Sequence, residues 1–194
     1  MPLKTNTVTL PPKLAAVLVR LVETGKLNKT QAVKLPYLVD VVARHVLGRP
    51  ITEGHHQAWD HGVVTREAWR YLDRCDEASL FTLEPVPWSE EKRVRVNKRG
   101  EFAASQLTAD EERIVDSVIA EFAATPAGDL GRMTKRMNPQ IKSWGRNGEA
   151  DIGDDAYDRM SPEYQEMAEA AAAWTLDRLR RESKPVVDLE EAIA

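Results

Sequence analysis

The sequence predicts a mainly α fold: a single compact helical domain over residues 1–194 with one small β-hairpin. Three observations carry that expectation. Apolar residues recur at i, i+3, i+4 and i+7 in several stretches, the spacing of one buried helical face. A period of two appears only between Phe81 and Val96. No fixed repeat or low-complexity linker divides the chain, and 194 residues lie within the size of one domain.

The first helix is expected from Pro11 to Gly25, with Leu14, Val17, Leu18, Leu21 and Val22 on one face, Pro12 near its start and Gly25 at its end. A second pattern runs to Gly48 through Val33, Tyr37, Leu38, Val41, Val42 and Val46. Pro36 lies inside it and lacks the amide a helix interior needs, so a kink or a helix start is expected there. A third helix, Thr65 to Arg74, places Ala68, Trp69 and Leu72 inward and Arg66, Arg70 and Arg74 on one outward stripe. Phe81 and Leu83, then Val94 and Val96, alternate with polar residues and form the hairpin, with Pro85 and Pro87 confining the first strand to an edge. Thr108 and Glu111 make a capping box for a helix through Ile114, Val115, Val118, Ile119 and Phe122 that ends near Pro126. A shorter helix follows from about Asp129 to Met137. Pro139 to Gly153 reads as loop, a last helix covers about residues 161–182, and the tail from Ser183 is expected to fray.

With 27 basic and 31 acidic side chains the net charge is −4, which opposes a whole-surface attraction to nucleic acid but leaves local basic patches open. The longest apolar run, Leu14 to Val22, is broken by Arg20 and is too short to span a bilayer, so no membrane partner is expected. Cys75 is the single cysteine and the N-terminus lacks a signal pattern; the expected location is the cytoplasm.

Motifs for catalysis are absent: there is no Gly-rich phosphate loop, nucleophile elbow or zinc-finger spacing. His55, His56, Asp60 and His61 are ligand types for a divalent ion, yet no histidine pair has the i, i+3 or i+4 spacing of a helical site. They are read as loop and cap histidines, and no metal or cofactor is expected. Asp76 and Glu77 beside Cys75 would raise its thiol pKa, the wrong direction for a nucleophile.

Basic residues form three groups. Arg66, Arg70 and Arg74, followed by Arg93 and Arg95 in the hairpin, would suit a winged-helix DNA binder, with the helix in a groove and the hairpin on phosphates. An ordinary solvated face paired with Glu67, Asp73, Glu90 and Glu91 is the plainer account. Arg132, Lys135, Arg136, Lys142 and Arg146 occur with no acid between Leu130 and Gly148, before an acidic run from Glu149 to Asp158. Such segregation fits either a partner of mixed charge or internal salt bridges.

Lys34 to Val64 resembles the core of the Panacea domain, a family of SocA-like antitoxins. The family shows Lys-Leu-any-Tyr, then Gly-any-Pro-Leu, then Ala-Trp-any-Tyr-Gly-Pro-Val. Here these are KLPY from Lys34 to Tyr37, GRPI from Gly48 through Pro50 to Ile51, and AWDHGVV from Ala58 through Trp59, His61 and Gly62 to Val64. Tyr37 to Gly48 and Gly48 to Trp59 are eleven positions each. Leu107 to Ile119 is similar to the family's threonine-capped helix, and the likeness extends weakly over 107–144. Val63 and His61 stand where the family has proline and tyrosine, and Lys135 stands near its Thr-His pair. Tyr37, Trp59 and Gly62 read first as scaffold: large amphipathic anchors, and a tight junction between His61 and the next helix.

The resemblance implies an antitoxin that neutralises a neighbouring toxin by direct protein contact, some members passing the toxin to a protease such as a Clp-type unfoldase. Trp88, Trp144 and Trp174 are the candidate anchors of the contact, with Arg132 and Arg136 beside them, although each tryptophan fits a core position as well. The alternative function is the winged-helix-like transcriptional regulator.

Overall fold

The computed structural model describes residues 9–87, 90–97, 106–137 and 150–151, together with Pro162, Glu166, Glu169, Ala173 and Asp177, which are helical and exposed. The order is α1 (Pro12–Gly25), α2 (Lys29–Leu47), β1 (His56–Trp59), β2 (Gly62–Thr65), α3 (Arg66–Arg74), β3 (Phe81–Pro85), β4 (Lys92–Val96), α4 (Ala109–Phe122), α5 (Ala127–Met137) and β5 (Ala150–Asp151).

Helix α2 is the axis of the fold. Every residue from Ala32 to Ala43 is buried, as expected of a helix packed on all sides, and α1, α3, α4, α5, β2 and β4 all lie against it. It starts at Lys29 and continues through Pro36, so the expected helix start at Pro36 is corrected. The start is fixed upstream by Asn28, whose Oδ1 accepts the Gln31 amide at 2.8 Å while the Gln31 side chain accepts the Asn28 amide at 3.0 Å. The Gln31 side-chain Nε2 also donates to the carbonyls of Ala123 and Thr125, which ties the end of α4 to this cap.

The expected capping box at the head of α4 forms as read: Thr108 Oγ1 accepts the Glu111 amide and Glu111 accepts the Thr108 amide. Glu111 is buried and its Oε1 also receives Lys13 at 2.5 Å and Arg49 at 2.9 Å. Two turns further on, Arg20 makes a bidentate pair with Asp116 at 2.7 and 2.8 Å, closing α1 on α4.

The β3–β4 hairpin pairs Phe81 with Val96 and Leu83 with Val94, in the alternation the sequence announces. The outer side of β4 meets the α1–α2 junction, where Val94 donates to the Leu27 carbonyl at 3.0 Å and Asn28 bridges Arg93. A second sheet, in the order β2-β1-β5, was not expected. His56–Trp59 and Gly62–Thr65 pair antiparallel around Asp60 and His61, and Gln57 and Ala58 pair with Asp151 and Ala150. The loop-and-cap reading holds for His55, which precedes β1, and for His61, in the β1–β2 turn, but is corrected for His56, which opens β1; Ala150–Asp151 is likewise strand within a stretch read as loop. All four residues of β2 are buried, so the polar alternation that reveals a half-exposed strand does not exist there.

Candidate functional site

The family-like strings KLPY and AWDHGVV come together where α2, the β1–β2 turn and α5 meet. Lys34 lies on the buried axis helix and is only 2% exposed. Its Nζ donates to the His61 carbonyl at 2.5 Å and to the Val63 carbonyl at 3.4 Å. These are neutral acceptors, so burial draws its pKa down to about 8.

Other contacts fix the same turn. Gly62 has φ +95°, and a Cβ there would come within 2.5 Å of the Gly131 carbonyl and of Thr134 Oγ1. A Cβ on Gly131 would come within 2.6 Å of the His61 carbonyl. Two glycines therefore let strand and helix approach backbone to backbone. Thr134 Oγ1 accepts the Val63 amide at 3.1 Å and donates to the Leu130 carbonyl at 2.9 Å, while Lys135 reaches the Asp60 carbonyl at 3.1 Å. The carbonyls of residues 60, 61 and 63 and the amide of Val63 are thus all held from outside the hairpin. The side chains of Asp60 and His61, in contrast, are exposed. Gly62 opens strand β2, not the helix expected after it.

Beneath the turn, Asp40 organises the preceding segment. Its Oδ1 accepts the amides of Ile51 and Thr52 at 2.7 and 2.9 Å, and its Oδ2 receives Thr52 Oγ1 at 2.5 Å and contacts His56 Nε2 at 2.7 Å. Burial alone would raise this carboxyl's pKa, but the contacts with His56 and Thr52 outweigh it and hold the pKa below its ordinary value. His56 Nδ1 meets Thr65 Oγ1 at 3.1 Å, and the Tyr37 ring stands edge-on to His56 at 5.3 Å. Asp40, His56 and Thr65 have the order of a catalytic relay, but Thr65 is fully buried, so the line acts as a tie between α2 and β1.

The remaining motif residues have structural places. Gly48 takes φ +70° as the left-handed cap of α2, its amide bonded to Arg44. Pro50 leads into the segment Asp40 holds. Trp59 is half-buried, with its ring edge-on to Trp69 at 5.0 Å. Among the described residues no three His, Cys, Asp or Glu side chains converge as metal ligands. His55 pairs outward with Glu67 at 2.7 Å while His56 points inward. The Cys75 thiol pKa is raised, first by burial and only in smaller part by the charge of Asp76.

Of the candidate partner residues, Arg132 and Arg136 are exposed on α5, and Arg132 is paired with Asp129. Trp88, Trp144 and Trp174 lie outside the described residues. Of the candidate DNA residues, Arg70 and Arg74 are exposed and Arg66 is half-buried. Arg93 and Arg95 alternate onto the hairpin face opposite Phe81, whereas α3 packs on the Phe81 side through Tyr71, ring to ring at 6.0 Å. The β1–β2 hairpin also separates α2 from α3, so the helix-turn-helix step of a winged helix is not formed.

Sequence reasoning missed Asp40, Gly131 and Thr134. A usable signal existed for the first: Lys34 and Asp40 are the two charged residue types inside an otherwise largely apolar, fully buried helical stretch.

A family model described as antitoxin SocA-like, Panacea domain, matches residues 33–139, more than half of the chain. No curated protein and no solved structure matches it. Among the described residues no helix is long and apolar enough to cross a membrane.

Proposed function

The chain belongs to the SocA-like Panacea antitoxin family, and from that premise we propose that it neutralises a neighbouring toxin by direct protein binding, without catalysis, at a contact centred on the Asp60–His61 turn and the basic face of α5. The observation that carries the placement is the clamp. A lysine sits buried among neutral carbonyls, against the usual exposure of its type, and what it steadies is a turn whose two side chains face solvent. Folding alone does not call for that arrangement. A preorganised turn lowers the ordering entropy lost on association, which is where a binding protein gains affinity. Arg132 and Arg136 extend the surface with two exposed cations.

Transfer of the captured toxin to a Clp-type unfoldase is a separate step within this reading. The test is co-expression with the product of the neighbouring reading frame. That product alone should arrest growth, and together with this chain growth should return and the two should co-purify. Rescue accompanied by loss of toxin protein points to the protease route; rescue with stable toxin points to occlusion. A product that never arrests growth, or rescue without any complex, would remove the proposal.

A further inference from the structure

The arginine stripe of α3 is the surface feature that the turn and its clamp leave unused. Arg66, Arg70 and Arg74 recur at every fourth residue, so their Cα atoms climb the helix in steps of about 6 Å. Ala68 and Leu72, the buried pair, set the inward direction, which puts Arg70 at the solvent pole with Arg66 and Arg74 on either side of it. The acids on the helix are already engaged. Glu67 holds His55 at 2.7 Å, and Asp73 holds Lys29 at 2.9 Å while Lys29 also lies 6.0 Å from the centre of the Trp69 ring. Among the described residues no carboxylate pairs with any of the three arginines, and the Nε of Arg66 is buried without an acceptor. Three cations with unused donors thus line one ridge, while Glu67 and Asp73 are hydrogen-bonded to His55 and Lys29 outside it.

We infer that this ridge is the seat of an acidic helical segment of the protein partner, whose carboxylates at i, i+4 and i+8 match the arginine spacing. Guanidinium groups suit that occupant because each can grip a carboxylate through two parallel N–H donors. A nucleic-acid occupant fits the surroundings less well. Glu67, Asp73, Asp76 and Glu77 sit on or just beyond α3, the last three exposed, and would meet the phosphates of any backbone laid along the ridge. Arg93 and Arg95, the hairpin arginines that would hold that backbone, leave on the opposite face of their sheet. For a protein partner the same flanking acids give register, since they reject a wrongly placed acidic segment and admit a basic rim.

The inference rests on the antitoxin reading for the identity of the partner, but its test does not. The full chain is titrated with a labelled helical peptide carrying glutamates at i, i+4 and i+8, with its all-glutamine counterpart, and with a DNA duplex of about 20 base pairs. The glutamate peptide should bind, weaken as salt rises, and lose at least about tenfold in affinity to the doubly substituted chain Arg70→Glu, Arg74→Glu, which should melt as the wild type does. Arg70→Lys with Arg74→Lys should retain only part of the affinity, since charge is kept and the fork is lost. Equal binding of both peptides, equal binding by the charge-reversed chain, or tighter binding of the duplex would each overturn the assignment. Neutralisation of the neighbouring toxin is scored separately: if the wild type fails there, the antitoxin reading falls while the peptide result stands.

Discussion

Lys34 and Glu111 are two buried ionisable residues in the same core, and their surroundings differ in kind. Glu111 is fully enclosed but meets Lys13 and Arg49, and it also closes the cap of α4. Burial alone would raise its carboxyl pKa, and the contributions of Lys13, the Thr108 amide and Arg49 together bring it below the ordinary value. Lys34 meets only carbonyl oxygens, nothing offsets its burial, and its pKa falls to about 8. The Glu111 contact fastens α1 and the α2 exit to α4 and is a gain for the fold. The Lys34 contact works against the fold at neutral pH, and it lies directly under the exposed turn. A buried charge with charged partners reads as architecture, and one held only by a turn's backbone reads as positioning for something outside the fold.

The largest expected effect lies at the turn itself. Gly62→Ala should destabilise the chain by about 3 kcal/mol or more, because a Cβ meets the Gly131 carbonyl and the residue must hold a positive φ. Urea unfolding measures this, and a loss within about 0.5 kcal/mol of zero would mean that strand and helix do not touch there.

Next is the pH dependence of Lys34. Its folded pKa lies below that of an unfolded lysine, so between about pH 8 and the ordinary lysine value the unfolded chain binds the extra proton. Stability therefore rises with pH across that window, and the penalty is fully present below it. Relative to Lys34→Met, the wild type should gain on the order of 2–3 kcal/mol from pH 7 to pH 10. A parallel pair of stability curves would contradict the uncompensated burial.

Glu111 should act on the opposite limb. Its folded pKa is depressed, so its contribution is present above the ordinary carboxylate value and is lost as pH falls through the folded one. Glu111→Gln should cost about 1–2 kcal/mol at pH 7, discounted because Lys13 and Arg49 are partly solvated, and nothing further in acid. A difference that survives at low pH would assign the effect to packing rather than charge.

These contrasts also mark what the sequence could reveal. The helices were legible because Leu14, Val17, Leu18 and Leu21, and then Ile114, Val115 and Val118, repeat at helical spacing with Thr108 and Glu111 as punctuation. The β3–β4 hairpin was legible because one of its faces is wet. Strands β1 and β2 were not, since β2 is buried on both faces and the turn between them is Asp-His rather than a glycine pair. Gly62 was recognisable as a special backbone position, but its reason lies on α5 at Gly131, far away in sequence. The role of Lys34 was hidden for the same cause: its partners are backbone carbonyls, which carry no residue signature.

If the clamp serves to present Asp60 and His61, the deciding quantity is the dissociation constant of the chain for the product of the neighbouring reading frame, measured for wild type and for Asp60→Ala with His61→Ala. Both side chains are exposed, so the melting temperature should hold while affinity falls by at least about tenfold. Unchanged affinity in a chain that melts normally would move the contact away from the turn.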